Sequence, residues 1–327
     1  MPYRHHFTPQ ILVIGLVAVL SGCGGQTEPD SSRSAPIGIG TFSQAIDYAP
    51  VYVARHFGWF EEELKKVGAT LPPQYFEFNS FDEIQTGFAT GKLHAFFSAE
   101  APATKLLSDK QDIRVVEVGC TLQQEILVRT DLNITSVPQL KGRTIAVAEG
   151  TSSHYGLLKI LGAAGLASTD VQIMPGFPGE AQPLFETGQV DAWAVWPPFV
   201  EEQVIRKKGT TLPGGDAKIQ SVMTLSKAVM DGNPDAAKAL VAAIRKAKLW
   251  MAGNPDEAQG IVAKQLKLDM KVVRLAWPKH SWGATLSADV VEDMQAKSKF
   301  LTEQGVIQNN VVIDVATQLI DRRYLAP

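Results

Sequence analysis

From Pro36 to Tyr324, short apolar runs alternate with longer segments whose apolar residues recur every three or four positions. The short runs read as strands and the periodic segments as helices. "PIGIGTF" (36–42) predicts a strand, and "YAPVYVARHFGWFEEELKKVG" (48–68) predicts one helix stopped by Gly68. "LPPQYFEFNS" (71–80) reads as a strand, "FDEIQTGFATGKL" (81–93) as a short helix, and "HAFFSAEAP" (94–102) as a strand running into a helix. "IRVVEVG" (113–119) and "EILVRT" (125–130) predict two further strands, and "VPQLKGRTIAVAEG" (137–150) a turn and another. "SHYGLLKILGAAGL" (153–166) is helical and should end near Gly165; "VQIMPG" (171–176), "AQPLFETGQ" (181–189) and "VDAWAVWPP" (190–198) continue as strand, helix, strand. Such alternation predicts an α/β fold built mainly on parallel strands.

The last third is different. Asn233-Pro234 and Asn254-Pro255 each pair an N-cap residue with a proline in the first turn. Glu257 adds a capping-box arrangement to Asn254. The tail from Lys264 to Tyr324 is mostly helical by pattern. Two earlier stretches echo each other: "FNSFDEIQTGFATGKLHAFFSAEAP" (78–102) and "FPGEAQPLFETGQVDAWAVWPPF" (177–199). Each has a loop, a short helix ending in Thr-Gly, a strand with aromatics and a proline-containing turn. The echo predicts two similar lobes, each opening a helix toward a shared cleft.

Ahead of this pattern stands "MPYRHHFTPQILVIGLVAVLSGC". A basic start, a short apolar run and small residues before Cys23 are the layout of an export signal. The run is about half of the ~20 residues that a membrane span requires. Leu20-Ser21-Gly22-Cys23 resembles the bacterial lipoprotein box, which implies cleavage before Cys23, a lipid on its thiol and membrane attachment outside the cytoplasm. Residues 24–35, "GGQTEPDSSRSA", read as a polar tether. With Cys23 lipidated, Cys120 has no disulfide partner, and its apolar setting marks it as a buried small hydrophobe. The chain has 31 Lys+Arg against 34 Asp+Glu; loss of residues 1–22 removes only Arg4 among these, leaving 30 against 34 and a net charge of −4. With no basic block, nucleic acid is not an expected partner.

Enzyme motifs are missing: there is no P-loop, no H-E-x-x-H and no G-x-S-x-G. His56, His94, His154 and His280 have no metal-ligand spacing. Ser153 and His154 are chain neighbours, which seldom face each other as nucleophile and base. "AEGTSSHYGLL" (148–158) suits a different task. A helix start offers free N–H groups and partial positive charge. Gly150 would let the backbone approach a ligand. Thr151, Ser152 and Ser153 could donate to an oxyanion, or simply cap the helix.

"GTSSHYGLLKILGAAGL", "VQIMPG" and "GQVDAWAVWPPFVEE" resemble the family of periplasmic solute-binding proteins for aliphatic sulfonates and taurine, within the group that also takes up nitrate and thiamine-pyrimidine precursors. "YAPVYVARHFGWFEE", "FSAEAPAT" and "VPQLKGRTIAV" match in character, so the resemblance covers essentially the whole mature chain. It implies a type II periplasmic-binding-protein fold, two α/β lobes with a hinge and a ligand cleft between them. It also implies a monomer without catalytic activity, cofactor or metal, handing a small organic anion to an inner-membrane ABC permease with its ATPase. The expected division is signal 1–22, tether 23–35, one lobe from 36–124 plus 223–327 and a second from 125–222. Strands should cross between the lobes near Gln124–Val128 and Ser221–Leu225. By position, Ser80, Phe81, Ser98, Ala99 and Gly150–Ser153, with His154 beside them, should surround the anion, and Trp193 and Trp196 the organic tail. Asp47, Glu100 and Glu125 are acids near the expected cleft that could meet a ligand amine. Sulfonate binders often have Asp where Pro197 stands, and many have a Gly-Pro-rich loop in place of "NSFDE". Nitrate, an aromatic carboxylate or a pyrimidine precursor are therefore alternative ligands. An enzyme of the pyrimidine-precursor-synthase type is the alternative class, although those relatives carry a cysteine-rich iron-binding stretch and this chain has only Cys120 after Cys23.

Overall fold

The computed structural model describes residues 36–42, 45–78, 81–307 and 312–324. The export signal, Cys23, the tether and Ser80 lie outside them. Strand β1 (Gly38–Phe42) is flanked by β2 (Gln74–Phe78) and β3 (Ala95–Ala99), both parallel to it. Helices α1 (Ala49–His56), α2 (Trp59–Lys66) and α3 (Phe81–Ala89) make the crossovers, and α4 (Glu100–Ser108) follows β3. A second set repeats the plan. Strand β5 (Thr144–Val147) is parallel to β6 (Gln172–Pro175) and β7 (Ala192–Val195), and α5 (Ser152–Ala163), α6 (Pro178–Glu186) and α7 (Phe199–Ile205) follow the three strands in turn. Between the sets run two long antiparallel strands, β4 (Ile113–Arg129) and β8 (Gly209–Ser226). The sheet order is β2-β1-β3-β8-β4-β7-β5-β6. Because β3 pairs with β8 and β7 with β4, both antiparallel, the order reads alike from either edge. The echo seen in the sequence is α3–β3 against α6–β7. The remaining elements are α8 (Lys227–Gly232), α9 (Pro234–Gly253), α10 (Pro255–Leu266), α11 (Met270–Ala276), α12 (Ala288–Glu303) and the two-residue β9 (His280–Ser281), which pairs with β4.

Strand alternation explains how the core divides. Ala95 and Phe97 face a core with α1, α9 and α10, whereas Phe96 faces one with α4 and α12. In the second set Ile145, Val147, Ala192 and Ala194 pack with Leu157 and Ile160 of α5. Ala146, Trp193 and Val195 point the other way, against Phe185 and Val200. Helices thus cover both faces of the sheet, as parallel strands require.

Three local expectations need correction. The helix over 48–68 is two helices, α1 and α2, because Gly58 takes a left-handed conformation (φ 67°) between them. Its stop, Gly68, is also left-handed (φ 88°). The two strands expected at 113–119 and 125–130 are one strand of 17 residues, continuous through irregular register at three places. Asn233 caps α9, accepting from the Ala236 N–H at 3.1 Å, but Asn254 does not cap α10: its amide turns back and donates to the Trp250 carbonyl at 2.9 Å. The tail is helical over the end of α10, α11, α12 and three short turns (Trp277–Lys279, Val315–Leu319 and Arg322–Tyr324), as its pattern predicts, with β9 and extended chain filling the rest. Among the described residues no helix is long and apolar enough to cross a membrane.

Candidate functional site

In a sheet with parallel strands, ligands gather at the carboxyl ends, where each strand hands over to a helix. Here both sets of strands end at one cavity of about 570 Å³, within the ~300–1,000 Å³ usual for small-molecule sites. After β1 it is lined by Phe42, Asp47 and Tyr48, and after β3 by Ala99 and Pro102. The second set supplies Thr151–Ser153 after β5, Phe177–Glu180 after β6, and Trp196 and Phe199 after β7. Leu122 and Ile219, paired across β4 and β8, complete the lining from the long strands. The first turns of α4, α5 and α6 thus open onto the same space, and their first N–H groups have no partner within the helix. Among the described residues no Lys, Arg or His lines it. An anion there would meet N–H groups and helix dipoles rather than side-chain cations.

The start of α5 shows what each hydroxyl does. The Thr151 hydroxyl donates to the Ala148 carbonyl at 2.6 Å, closing the turn. Ser153 donates to the Ala194 carbonyl of β7 at 3.2 Å, and its own carbonyl accepts from the Gln124 amide of β4 at 3.0 Å. Ser152 Oγ is buried on the cavity wall without a hydrogen-bond partner from the described residues. Of the three, Ser152 is the hydroxyl available to a ligand. His154 is buried, and its Nδ1 accepts from the Gly150 N–H at 3.3 Å, so the other ring nitrogen carries the proton. Burial pushes the imidazole pKa down, with Glu149 opposing.

Acids near the cavity differ in their company. Glu100 is fully buried and ion-paired with Lys297 of α12, while its second oxygen accepts from the Gln220 N–H at 3.0 Å. Lys297 is itself buried and also donates to the Lys218 carbonyl (2.9 Å) and Asp293 (2.7 Å). Glu125 pairs with Lys279, which reaches Glu201 of α7 at 2.5 Å. Glu180, on the rim, accepts from the Phe177 N–H at 3.2 Å. Asp47 is 5% exposed, lines the cavity and has no cationic partner among the described residues. Burial lifts its carboxyl to about 6; the Ser221 hydroxyl and its own backbone N–H pull the other way, and Glu100 adds to the rise.

Of the residues expected at the site, Asp47, Ser98, Ala99, Thr151, Ser152, Ser153 and Trp196 line the cavity. Phe81 opens α3. Four others require correction. Trp193 is 1% exposed, because alternation along β7 turns it with Val195 into the core against Phe185 and Phe199. Trp196 follows the strand end and is free of that constraint. Glu100 is occupied by Lys297. His154 folds back on its own turn and packs edge-on against Phe300. Gly150 is left-handed (φ 70°), and a Cβ there would lie 3.1 Å from Val306, so protein rather than ligand crowds it. Sequence reading missed Phe42, Tyr48 and the whole α6 mouth, Phe177–Gln182. The echo with residues 78–102 was the available signal for the α6 mouth. No group of three or more His, Cys, Asp or Glu among the described residues could hold a metal.

The NMT1/THI5-like family matches residues 45–258. The chain belongs to that family. It is 29% identical over 312 residues to a Bacillus subtilis (strain 168) protein provisionally named as an aliphatic sulfonates-binding protein, covering 92% of this chain and 91% of that one. Among solved structures, the periplasmic aliphatic sulphonate binding protein SsuA from Escherichia coli aligns with a TM-score of 0.73 at 20% identity, covering 88% of this chain and 98% of that one. The alkanesulfonate-binding protein SsuA from Xanthomonas axonopodis pv. citri, bound to MOPS, aligns with a TM-score of 0.70 at 19% identity, covering 90% and 99%. These NMT1/THI5-like and SsuA likenesses establish a mixed α/β periplasmic-binding-protein fold.

Proposed function

We propose that this chain is an extracytoplasmic solute-binding protein that captures a small organic sulfonate and delivers it to an ABC permease. The observation that carries the reading is the cavity where three helix N-termini converge and where, among the described residues, no cation lines the wall and the buried Ser152 hydroxyl has no partner. Such a lining suits a weakly basic oxyanion held by N–H and O–H donors. Aromatic rings of Phe42, Tyr48, Trp196 and Phe199 suit the organic part. The names of the sulfonate-binding relatives point the same way. In this reading residues 36–124 with 223–327 form one lobe and 125–222 the other, joined through β4 and β8. Asp47, Ser98, Ala99, Thr151, Ser152, Ser153 and Trp196 contact the ligand. Phe42 and Phe177, nearly parallel with ring centres 6.3 Å apart, bring the two lobes together at the rim. A lipid on Cys23 holds the protein at the membrane.

A nucleophilic enzyme on the same fold is the weaker reading. Cys120 is fully buried outside the cavity lining, and burial pushes its thiol well up, away from the reactive thiolate. The test is a thermal-shift screen of the mature chain against alkanesulfonates, taurine, nitrate, aromatic carboxylates and pyrimidines. A ligand at 100 times its Kd should stabilise the protein by about 2.7 kcal/mol. Stabilisation by nitrate or a pyrimidine with none by any sulfonate would overturn the assignment.

A further inference from the structure

Outside the cavity lining, Lys279 stands between two acids, Glu125 of β4 and Glu201 of α7. Lys279 ends the short helical turn after α11, and the next residue, His280, is fixed by its pairing with Leu122 of β4. Glu201 lies in the first turn of α7, two residues after Phe199 of the cavity wall. It is 2% exposed, and among the described residues neither of its oxygens has a partner other than Lys279. Burial pushes its carboxyl pKa up, with Lys279 opposing. Helices α7 and α11 pack together here, yet their buried apolar residues serve separate cores. Val200 belongs with Phe185 and Trp193, whereas Val273 and Ala276 join residues of α9 and α10. Charge therefore ties this junction where no shared apolar core closes it. The Glu100–Lys297 pair is different, because both of its residues fall within 36–124 plus 223–327. Glu201 and Lys279 fall on opposite sides of that division.

We propose that Lys279 is a positioning residue for ligand binding: anchored beside β9, it grips Glu201 across the lobe boundary and keeps α7, with Trp196 and Phe199, closed over the cavity. The proposal rests on the two-lobe reading given above and adds the link that sets the balance between open and closed forms. A buried carboxylate that loses its cation has to take a proton or reach water. Glu201 reaches water when α7 swings away from α11, and the aromatic wall of the cavity goes with it. The closed form then loses population, and apparent affinity falls in proportion. Glu125 shares the lysine from β4, a strand that runs through both lobes, so loss of its charge leaves the grip on α7 in place.

The experiment compares wild type with Lys279→Met, Lys279→Arg, Glu201→Gln and Glu125→Gln. Small-angle scattering gives the radius of gyration of each ligand-free protein, and calorimetric titration gives its affinity for ethanesulfonate. Lys279→Met and Glu201→Gln should both be larger than wild type and bind about tenfold more weakly. Lys279→Arg, which keeps the charge, and Glu125→Gln should stay close to wild type in both readouts. Should Lys279→Met fail to fold, Glu201→Gln carries the test, since it removes the charge without changing the side chain's shape. Wild-type dimensions in Glu201→Gln, even with a lowered melting temperature, would overturn the proposal by reducing the pair to a stabilising contact. Equal expansion in Glu125→Gln would also overturn it, because the effect would then follow the charge of the group rather than the grip on α7. If ethanesulfonate binds none of the proteins, wild type included, the failure belongs to the sulfonate reading, and the scattering comparison decides Lys279 by itself.

Discussion

Ser152→Ala and Ser153→Ala differ by one position and should fail in different ways. Ser152 Oγ has no hydrogen-bond partner among the described residues, so its removal breaks nothing in the ligand-free fold. Ser153 Oγ holds the Ala194 carbonyl at 3.2 Å. A hydrogen bond to a charged group contributes about 1.5–3 kcal/mol, and one between neutral groups about 1 kcal/mol. Ser152→Ala should then weaken sulfonate binding roughly 10- to 150-fold. Its ligand-free melting temperature should not fall. Ser153→Ala should lose about 1 kcal/mol of stability and keep most of its affinity. Calorimetric titration and a thermal melt on both proteins read the two quantities separately. Equal affinity losses in the two variants, or wild-type affinity in Ser152→Ala, would refute the assignment of Ser152 as the ligand's hydroxyl donor.

Asp47 also carries a stability prediction. Its carboxyl titrates near 6 in the fold, above its ordinary 3.8. Between about pH 4 and 6 the folded chain keeps a proton that the unfolded chain releases, so stability from this group falls as pH rises through that window. Two units correspond to about 3 kcal/mol, so Asp47→Asn should be the more stable protein at pH 7.5 by up to that amount and equal to wild type below pH 4. Urea unfolding at both pH values checks this, and a gap that does not change with pH would contradict it. Gly156→Ala should lower stability by about 1–3 kcal/mol through overpacking, because a Cβ there would stand 2.4 Å from Gln124 Nε2 and 2.9 Å from Ala217 Cβ; an unchanged melt would show that Gln124 can step aside. Intact mass of the membrane fraction should show a chain starting at acylated Cys23, and a soluble mature chain with a free Cys23 thiol would remove the anchor.

The strands and helices before residue 200 were legible because each buries a face with its own period, 2 or 3.6. Where the sequence misled, the decision came from farther away. No local pattern distinguishes Asp47 from Glu100 or Glu125, since Lys297 lies in α12 and Lys279 in the short helical turn after α11, both remote in sequence and brought close only by folding. Trp193 and Trp196 look equivalent in "DAWAVWPP", yet one lies within β7 and must alternate into the core, whereas the other follows it. The hydroxyl-rich start of α5 stood out because a glycine and three hydroxyls in succession are unusual. The start of α6, with its proline and glycine, looks like any helix entry, and its place at the cavity follows from the parallel pairing of β5 with β6.

The most direct test of a sulfonate held at the mouth of α5 is a crystal structure of the protein grown with the sulfonate that stabilises it most. The account predicts sulfonate oxygens about 3 Å from Ser152 Oγ and from the first N–H groups of α5, with the organic part against Trp196. A sulfonate seated elsewhere on the protein, or a cavity that holds only water at saturating ligand, would contradict it.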